Sequence, residues 1–431
     1  MPYLTAANDI KALIAKCSQA KILWVDTEIA DYKSNPRLSL IQVLADSTDS
    51  TGDATFLIDV LDKPELAKDF VNQIMVNPDI EKVFHSASYD IRFLGKDDAQ
   101  NVTCTLQMAS KIPAYILPLP NRQLKTLIET LCSIAYVDKT EQSGDWARRP
   151  LTEKQLEYAK MDAVYLARVH QRLLEILAQS YPEPATENLT ALGEKYQEIE
   201  SHWKPLDVEI SEVKERFKAG MMAQKLKDSS YFELASSITM KVDFMTLARL
   251  TQTQGIELNF PVTLTKEIQK QLGELISHPS LEVEDIVSWR LNSNVQQRRQ
   301  STTKKIVPQP ESEDLTLLGK RYQEILPEWK LLDSEVEHLK ERIKKAMLVQ
   351  SKGNTPHFKL STSSILKVDF ASLAKLALSV GVELDFMVTL TQYIQKRLGE
   401  AINKIDVQIE YITSWRMTAK TVEDEDEEIP F

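Results

Sequence analysis

The sequence predicts an α/β domain with a mixed central sheet, followed by two tandem α+β repeat domains with long heptad-patterned helices. Three observations carry this. Short apolar runs precede helical patterns across residues 1–180, a long block of sequence starting at Leu189 returns at Leu315, and apolar residues inside each copy step by alternating fours and threes.

In the first segment, Ile22-Leu23-Trp24-Val25, Leu38 to Leu44 and Thr55 to Val60 are strand-like runs, and Lys154 to Ala178 is helical. Strands early and helices later fit a sandwich of helices on a mixed sheet. The duplication keeps a constant offset of 126 residues: LTALGEKYQEI from Leu189 matches LTLLGKRYQEI from Leu315, Lys241 to Phe244 matches Lys367 to Phe370, and Ser288-Trp289-Arg290 matches Ser414 to Arg416. Solenoid units are shorter and come in threes or more, so the pair reads as tandem domains. The expected division is 1–180, a first repeat over 189–291, a flexible linker over 292–314, a second repeat over 315–417 and an acidic tail over 418–431.

In the first copy Leu192, Tyr196, Ile199, Trp203, Leu206, Ile210, Val213 and Phe217 form a narrow apolar seam, matched by Leu318 to Ile343 in the second. Such a seam serves packing within its own domain or self-association through the repeat helices. Asn188 and Asp314 are suited to cap the helices, and Pro205 and Pro327 to kink or split them. A Ser/Thr-rich strand ending in Lys-Val-Asp-Phe follows each helix. Neither copy holds a metal, nucleotide or nucleophile motif.

Composition narrows the function. Lys+Arg 52 against Asp+Glu 63 gives a net charge of −11, so no global basic field draws the chain to nucleic acid or an anionic membrane. A polyanion must be gripped locally. The three cysteines lack disulfide or zinc spacing. No apolar stretch approaches the roughly 20 residues of a membrane span, and the polar interruptions near the start do not suit a signal peptide. A cytoplasmic protein without a membrane partner is expected.

The chemistry lies in three elements. Asp26 and Glu28 end the first apolar run two residues apart, and so point to one face of a strand. Asp90 follows the strand-like Lys82 to His85, and Tyr158 and Asp162 share a helix face at i, i+4. Singly, each reads equally as a solvated acid. Together, four carboxylates in one cleft would repel unless neutralised, and no Lys or Arg adjoins Asp26 or Glu28 in sequence. Two divalent cations, Mg²⁺ or Mn²⁺, suit such hard oxygen donors and form the clamp used for displacement at phosphorus.

These motifs resemble the ribonuclease D group of the DEDD 3′-to-5′ exonucleases, in the branch with a tyrosine in its third motif. The segment Asp138-Lys139-Thr140-Glu141-Gln142-Ser143-Gly144-Asp145-Trp146-Ala147-Arg148-Arg149-Pro150-Leu151, followed by Gln155, Tyr158-Ala159 and Asp162, is similar to that family's DWxxRPL…Q…YAxxD stretch. The resemblance covers residues 1–180 alone. It implies a ribonuclease H-like fold in which Asp26 bridges two metals, Glu28 and Asp162 complete one site, Asp90 holds the second ion through water and Tyr158 positions the attacking water.

The implied activity is 3′-to-5′ trimming of RNA ends, with tRNA-precursor-like substrates and release of nucleoside 5′-monophosphates. Single-stranded DNA is the alternative substrate, and a non-catalytic binding or assembly protein the alternative class. Cys104-Thr105 and Gly144 depart from the family at positions outside the metal set. Arg92, Arg148 and Arg149 adjoin the motifs and are candidates for phosphate contact, with solvated surface arginines as the alternative. Phe93 and Trp146 either stack a base or fill the core. His85 and His170 are expected to be structural, and Cys104 a buried apolar residue.

Overall fold

The computed structural model describes residues 2–135, 137–294, 310–403 and 407–420. These fall into two compact units, 1–183 and 184–431.

The first unit runs β1 (Tyr3–Leu4), α1 (Ala7–Cys17), β2 (Ile22–Ala30), β3 (Arg37–Leu44), β4 (Phe56–Asp59), α2 (Pro64–Phe70), β5 (Glu81–Phe84), β6 (Val102–Cys104), α3 (Thr105–Lys111), α4 (Leu124–Leu131) and α5 (Glu153–Ser180). The six strands form one sheet in the order β1-β4-β3-β2-β5-β6. It is mixed, because β3 runs antiparallel to β2 and β4 while β2 pairs with β5, and β5 with β6, in parallel.

Alternation along β2 distributes its residues between two cores. Leu23 and Val25 pack with Ile10, Leu13 and Ile14 of α1, whereas Trp24 packs with Val83 and with Ala163, Val164 and Leu166 of α5. Asp26 and Glu28 continue the Trp24 face, so the strand's own pleat aims both carboxylates at α5. That helix starts firmly. Thr152 Oγ1 accepts the Gln155 N–H at 3.1 Å, and the Gln155 side chain accepts the Thr152 N–H at 3.0 Å, a capping box worth about 1 kcal/mol. Each fully buried Val or Leu on the inner face of α5 contributes roughly 1.5–3 kcal/mol, which fixes the helix and thereby Tyr158 and Asp162.

The second unit does not divide at the repeat boundary. It comprises α6 (Leu189–Ala223), β7 (Phe232–Asp243), α7 (Phe244–Gln254), β8 (Pro261–Thr263), α8 (Lys266–Leu272) and β9 (Glu284–Ser293), then their counterparts α9 (Leu315–Val349), β10 (Phe358–Asp369), α10 (Phe370–Val380), β11 (Met387–Thr389), α11 (Gln392–Leu398) and β12 (Ile409–Ala419). The strands are exchanged between copies. β7 lies between β11 and β12 of the second copy, and β10 between β8 and β9 of the first.

One consequence is reciprocal contact. Arg216 pairs with Glu313 at 2.9 Å, and the equivalent Arg342 with Glu187 at 2.7 Å. Phe244 stacks on Phe386 and Phe260 on Phe370, at centroid distances of 4.6 and 4.7 Å. Gly193 and Gly319 lie beneath His357 and Tyr231 of the opposite copies, where an added Cβ would come within 2.4 and 2.1 Å of the ring.

The expected tandem domains are thus one interleaved body, because each long strand finds its longest partner in the other copy. The seams of α6 and α9 close against each other within the chain, and both helices run unbroken through Pro205 and Pro327. Asn188 and Asp314 cap them as expected. At the edges of the expected linker, Asn292 and Ser293 belong to β9 and Asp314 is a cap. Residues 295–309 of that linker lie outside the described residues. Of the expected tail, Thr418 and Ala419 belong to β12, and 421–431 likewise fall outside.

Candidate active site

Asp26, Glu28 and Asp162 converge although 136 positions separate Asp26 from Asp162: each offers an oxygen, and the three oxygens lie within 4.8 Å of one another. Glu28 and Asp162 are buried, and Glu28 Oε1 accepts a bond from Gln42 Nε2 on the neighbouring strand at 3.2 Å. Asp90 comes from the short helical turn after β5. Its Oδ1 accepts the Thr27 hydroxyl at 2.6 Å, which holds it beside the group of three.

The electrostatics follow from this crowding. Burial first, then the Asp90 and Asp162 charges, push the Asp26 carboxyl well above the usual range, and burial with the Asp26 and Asp162 charges does the same to Glu28. Burial raises Asp90 to about 7 despite the Thr27 bond. Hard oxygen donors whose charges resist coexistence fit a divalent cation, which Asp26, Glu28 and Asp162 would hold.

Tyr158 sits one turn before Asp162 on α5, its ring 6.2 Å from that of Trp146. Burial and the Asp162 charge hold its proton firmly, which keeps the phenol a hydrogen-bond donor. Lys139 lies inside the family-like segment, but the sequence reading assigns it no role in the site. Its Nζ donates to Asp162 Oδ1 at 2.9 Å and to Tyr158 Oη at 3.2 Å. It lies in the stretch leading to Trp146, and its position 19 residues before Tyr158 carries no periodicity that would flag it.

The arginines separate. Arg149 is engaged within the fold: Nε and Nη2 grip Asp59 at 2.6 and 2.8 Å, Nη2 also donates to Ser39, and Nη1 donates to the Trp146 and Arg148 carbonyls. It ties the sheet to the loop before α5. Arg148 is exposed. Arg92 is also exposed, stacked 4.4 Å from the Tyr89 ring centre. Trp146 is 2% exposed and belongs to the core. His85 bonds Thr105 Oγ1 at 2.9 Å, and His170 accepts the Trp24 indole N–H at 3.3 Å, so both are structural, and Cys104 is buried.

Residues 2–178 match a 3′-5′ exonuclease family. The exonuclease segment is 31% identical over 177 residues to ribonuclease D of Shewanella sp. (strain ANA-3), covering 41% of this chain and 43% of that protein. It is 29% identical over 185 residues to Protein RRP6-like 3 of Arabidopsis thaliana, covering 43% and 20%. The chain thus spans less than half the length of either relative. Among solved structures, Escherichia coli RNase D, described as an exoribonuclease involved in structured RNA processing, shares 24% identity over 47% of this chain and 54% of its own, with a TM-score of 0.34. The N-terminal segment is ribonuclease D-like and ends before the repeats begin.

Proposed function

We propose that the chain is a metal-dependent 3′-to-5′ exoribonuclease acting on RNA 3′ ends, tRNA-precursor-like substrates among them, and releasing nucleoside 5′-monophosphates. The observation that carries this reading is the convergence of Asp26, Glu28 and Asp162 within 4.8 Å, one helical turn from Tyr158. Two divalent cations, Mg²⁺ or Mn²⁺, would supply Lewis acidity and an activated water for in-line displacement at phosphorus.

The residues of the chain supply the rest. Asp26, whose carboxyl feels the charges of both Asp90 and Asp162, would serve both ions in this reading. Glu28 and Asp162 would hold one ion, with Gln42 fixing the Glu28 head. Asp90, oriented by Thr27, would serve the second. The Tyr158 hydroxyl, a donor at neutral pH, orients the attacking water through hydrogen bonding. Arg148 and Arg92, both exposed beside the motifs, are the phosphate contacts in this reading.

The test is hydrolysis of a 3′-extended RNA and its sequence-matched single-stranded DNA in Mg²⁺ or Mn²⁺. Stepwise release of 5′-monophosphates from RNA is expected, lost with EDTA and in Asp26→Asn. Preference for the DNA would reassign the substrate, since the 2′-OH is the discriminating group. An Asp26→Asn variant as fast as the parent would refute the metal mechanism.

A further inference from the structure

Lys139 occupies a place that the metal reading assigns to no residue. It lies in the segment between α4 and α5, outside helix and strand, with exposed Asp138 and Thr140 on either side. The Asp138 carboxylate accepts the Thr140 N–H at 2.9 Å, which anchors this turn locally. The Lys139 head reaches inward. Its side chain is 20% exposed against 5% for Asp162, and the two are 2.9 Å apart. The same ammonium stands 5.0 Å from the Tyr158 ring centre.

Asp162 therefore has two claims on it. It is one of the three oxygens clustered within 4.8 Å, and it already carries a cation. A divalent ion seated among Asp26, Glu28 and Asp162 would share a carboxylate with the ammonium, and two cations a few ångströms apart at a partly buried site repel by several kcal/mol. Lysine suits release: its charge is compact, its stem is flexible and its bonds here are two, whereas Arg149 holds Asp59 through a rigid fork.

We infer that Lys139 is the resident counter-cation of the unloaded site and that it cedes Asp162 when a divalent cation arrives, so that metal loading and Lys139 withdrawal are a single exchange. The inference rests on the metal site proposed above. It assigns Lys139 a positioning role: by neutralising the carboxylates it keeps the empty site assembled, and it weakens the apparent affinity for metal.

The test uses the full chain and Mn²⁺ alone. Calorimetric titration of Lys139→Met is expected to show Mn²⁺ bound about tenfold more tightly than by the parent, equivalent to about 1.4 kcal/mol. Lys139→Arg, which keeps the charge and adds a rigid fork, should show no such tightening. Metal-free Lys139→Met should melt below the parent, with saturating Mn²⁺ closing the gap. A merely structural lysine would lower the melting temperature equally with and without Mn²⁺, and that result, or unchanged or weaker Mn²⁺ binding by the variant, overturns the exchange.

A second measurement needs no variant. Acetylation of Lys139 in the parent, followed by peptide mass mapping, should rise several-fold on adding Mn²⁺, and equal labelling with and without Mn²⁺ refutes withdrawal. If neither parent nor variant binds Mn²⁺, the metal site itself fails and takes the inference with it. That outcome differs from failure of the exchange alone, in which the parent binds as tightly as the variant.

Discussion

Arg149→Met isolates a structural tie from a substrate contact. The substitution keeps most of the side-chain volume and removes the guanidinium bonds to Asp59 at 2.6 and 2.8 Å, leaving that carboxylate the Tyr3 hydroxyl at 2.5 Å and the Leu61 N–H. Removing one partner of a buried ion pair costs about 3–5 kcal/mol, because the other charge is left desolvated. The Asp59 side chain is 7% exposed but that of Arg149 is 26%, so water can enter the gap and the lower figure, about 3 kcal/mol, applies.

For a unit of this size each kcal/mol lowers the melting temperature by about 2–4 °C, so a loss of roughly 6–12 °C is expected. Calorimetry of the full chain, following the transition that Mn²⁺ shifts, measures it. Burial pushes the Asp59 carboxyl up, but the Arg149 and Tyr3 bonds outweigh it and hold the group below the usual range. A folded-state pKa below the unfolded one stabilises at neutral pH and ceases to do so as pH falls. The gap between parent and variant should therefore shrink below about pH 4, near the unperturbed Asp value. KM for RNA, measured well below the transition, should change less than about twofold, since no reacting group is touched. A variant that melts within 2 °C of the parent while its KM rises tenfold would show that Arg149 serves the substrate.

Tyr158→Phe keeps the ring against Trp146 and removes the hydroxyl, so single-turnover hydrolysis should slow by about 10²–10⁴, and an unchanged rate would leave the tyrosine a packing role. Because Asp90 is raised to about 7 and Asp26 and Glu28 lie well above the carboxylate range, protons compete with metal: Mn²⁺ should stabilise the protein less at pH 6 than at pH 8, whereas the metal-free form gains stability as pH falls through 7. Thermal shifts with and without Mn²⁺ check both signs. A fragment ending at Glu183 should fold, hydrolyse a short oligonucleotide and lose affinity for long structured RNA, and a folded but inactive fragment would place part of the site in the repeats.

The legible parts of the sequence are those fixed by short-range geometry. The period of two in β2 puts Asp26 and Glu28 on one face, and the period of 3.6 in α5 stacks Tyr158 on Asp162. The seams of α6 and α9 and their caps at Asn188 and Asp314 were readable for the same reason. Lys139 stood inside the family-like segment, but its contact with Asp162 was not legible, because the link crosses a stretch without periodic structure. The tie of Arg149 to Asp59 was not legible, because adjacency to a motif says nothing of which carboxylate a guanidinium meets, and Asp59 is 90 positions away. The strand exchange was hidden in the duplication itself: β7 and β10 are equivalent, so local pattern cannot say whether either pairs within its own copy or across.

The exchange also binds the history of the two copies together. Tyr196 meets Phe358 at 4.8 Å and its equivalent Tyr322 meets Phe232 at 4.9 Å, so a change of ring size in one copy is felt as misfit in the other. The halves are held to mutual fit, like the partners of a homodimer, although one gene encodes both. Loss of either half would strip the survivor of the partners for its long strand, and a chain carrying a single copy could recover them only from a second molecule.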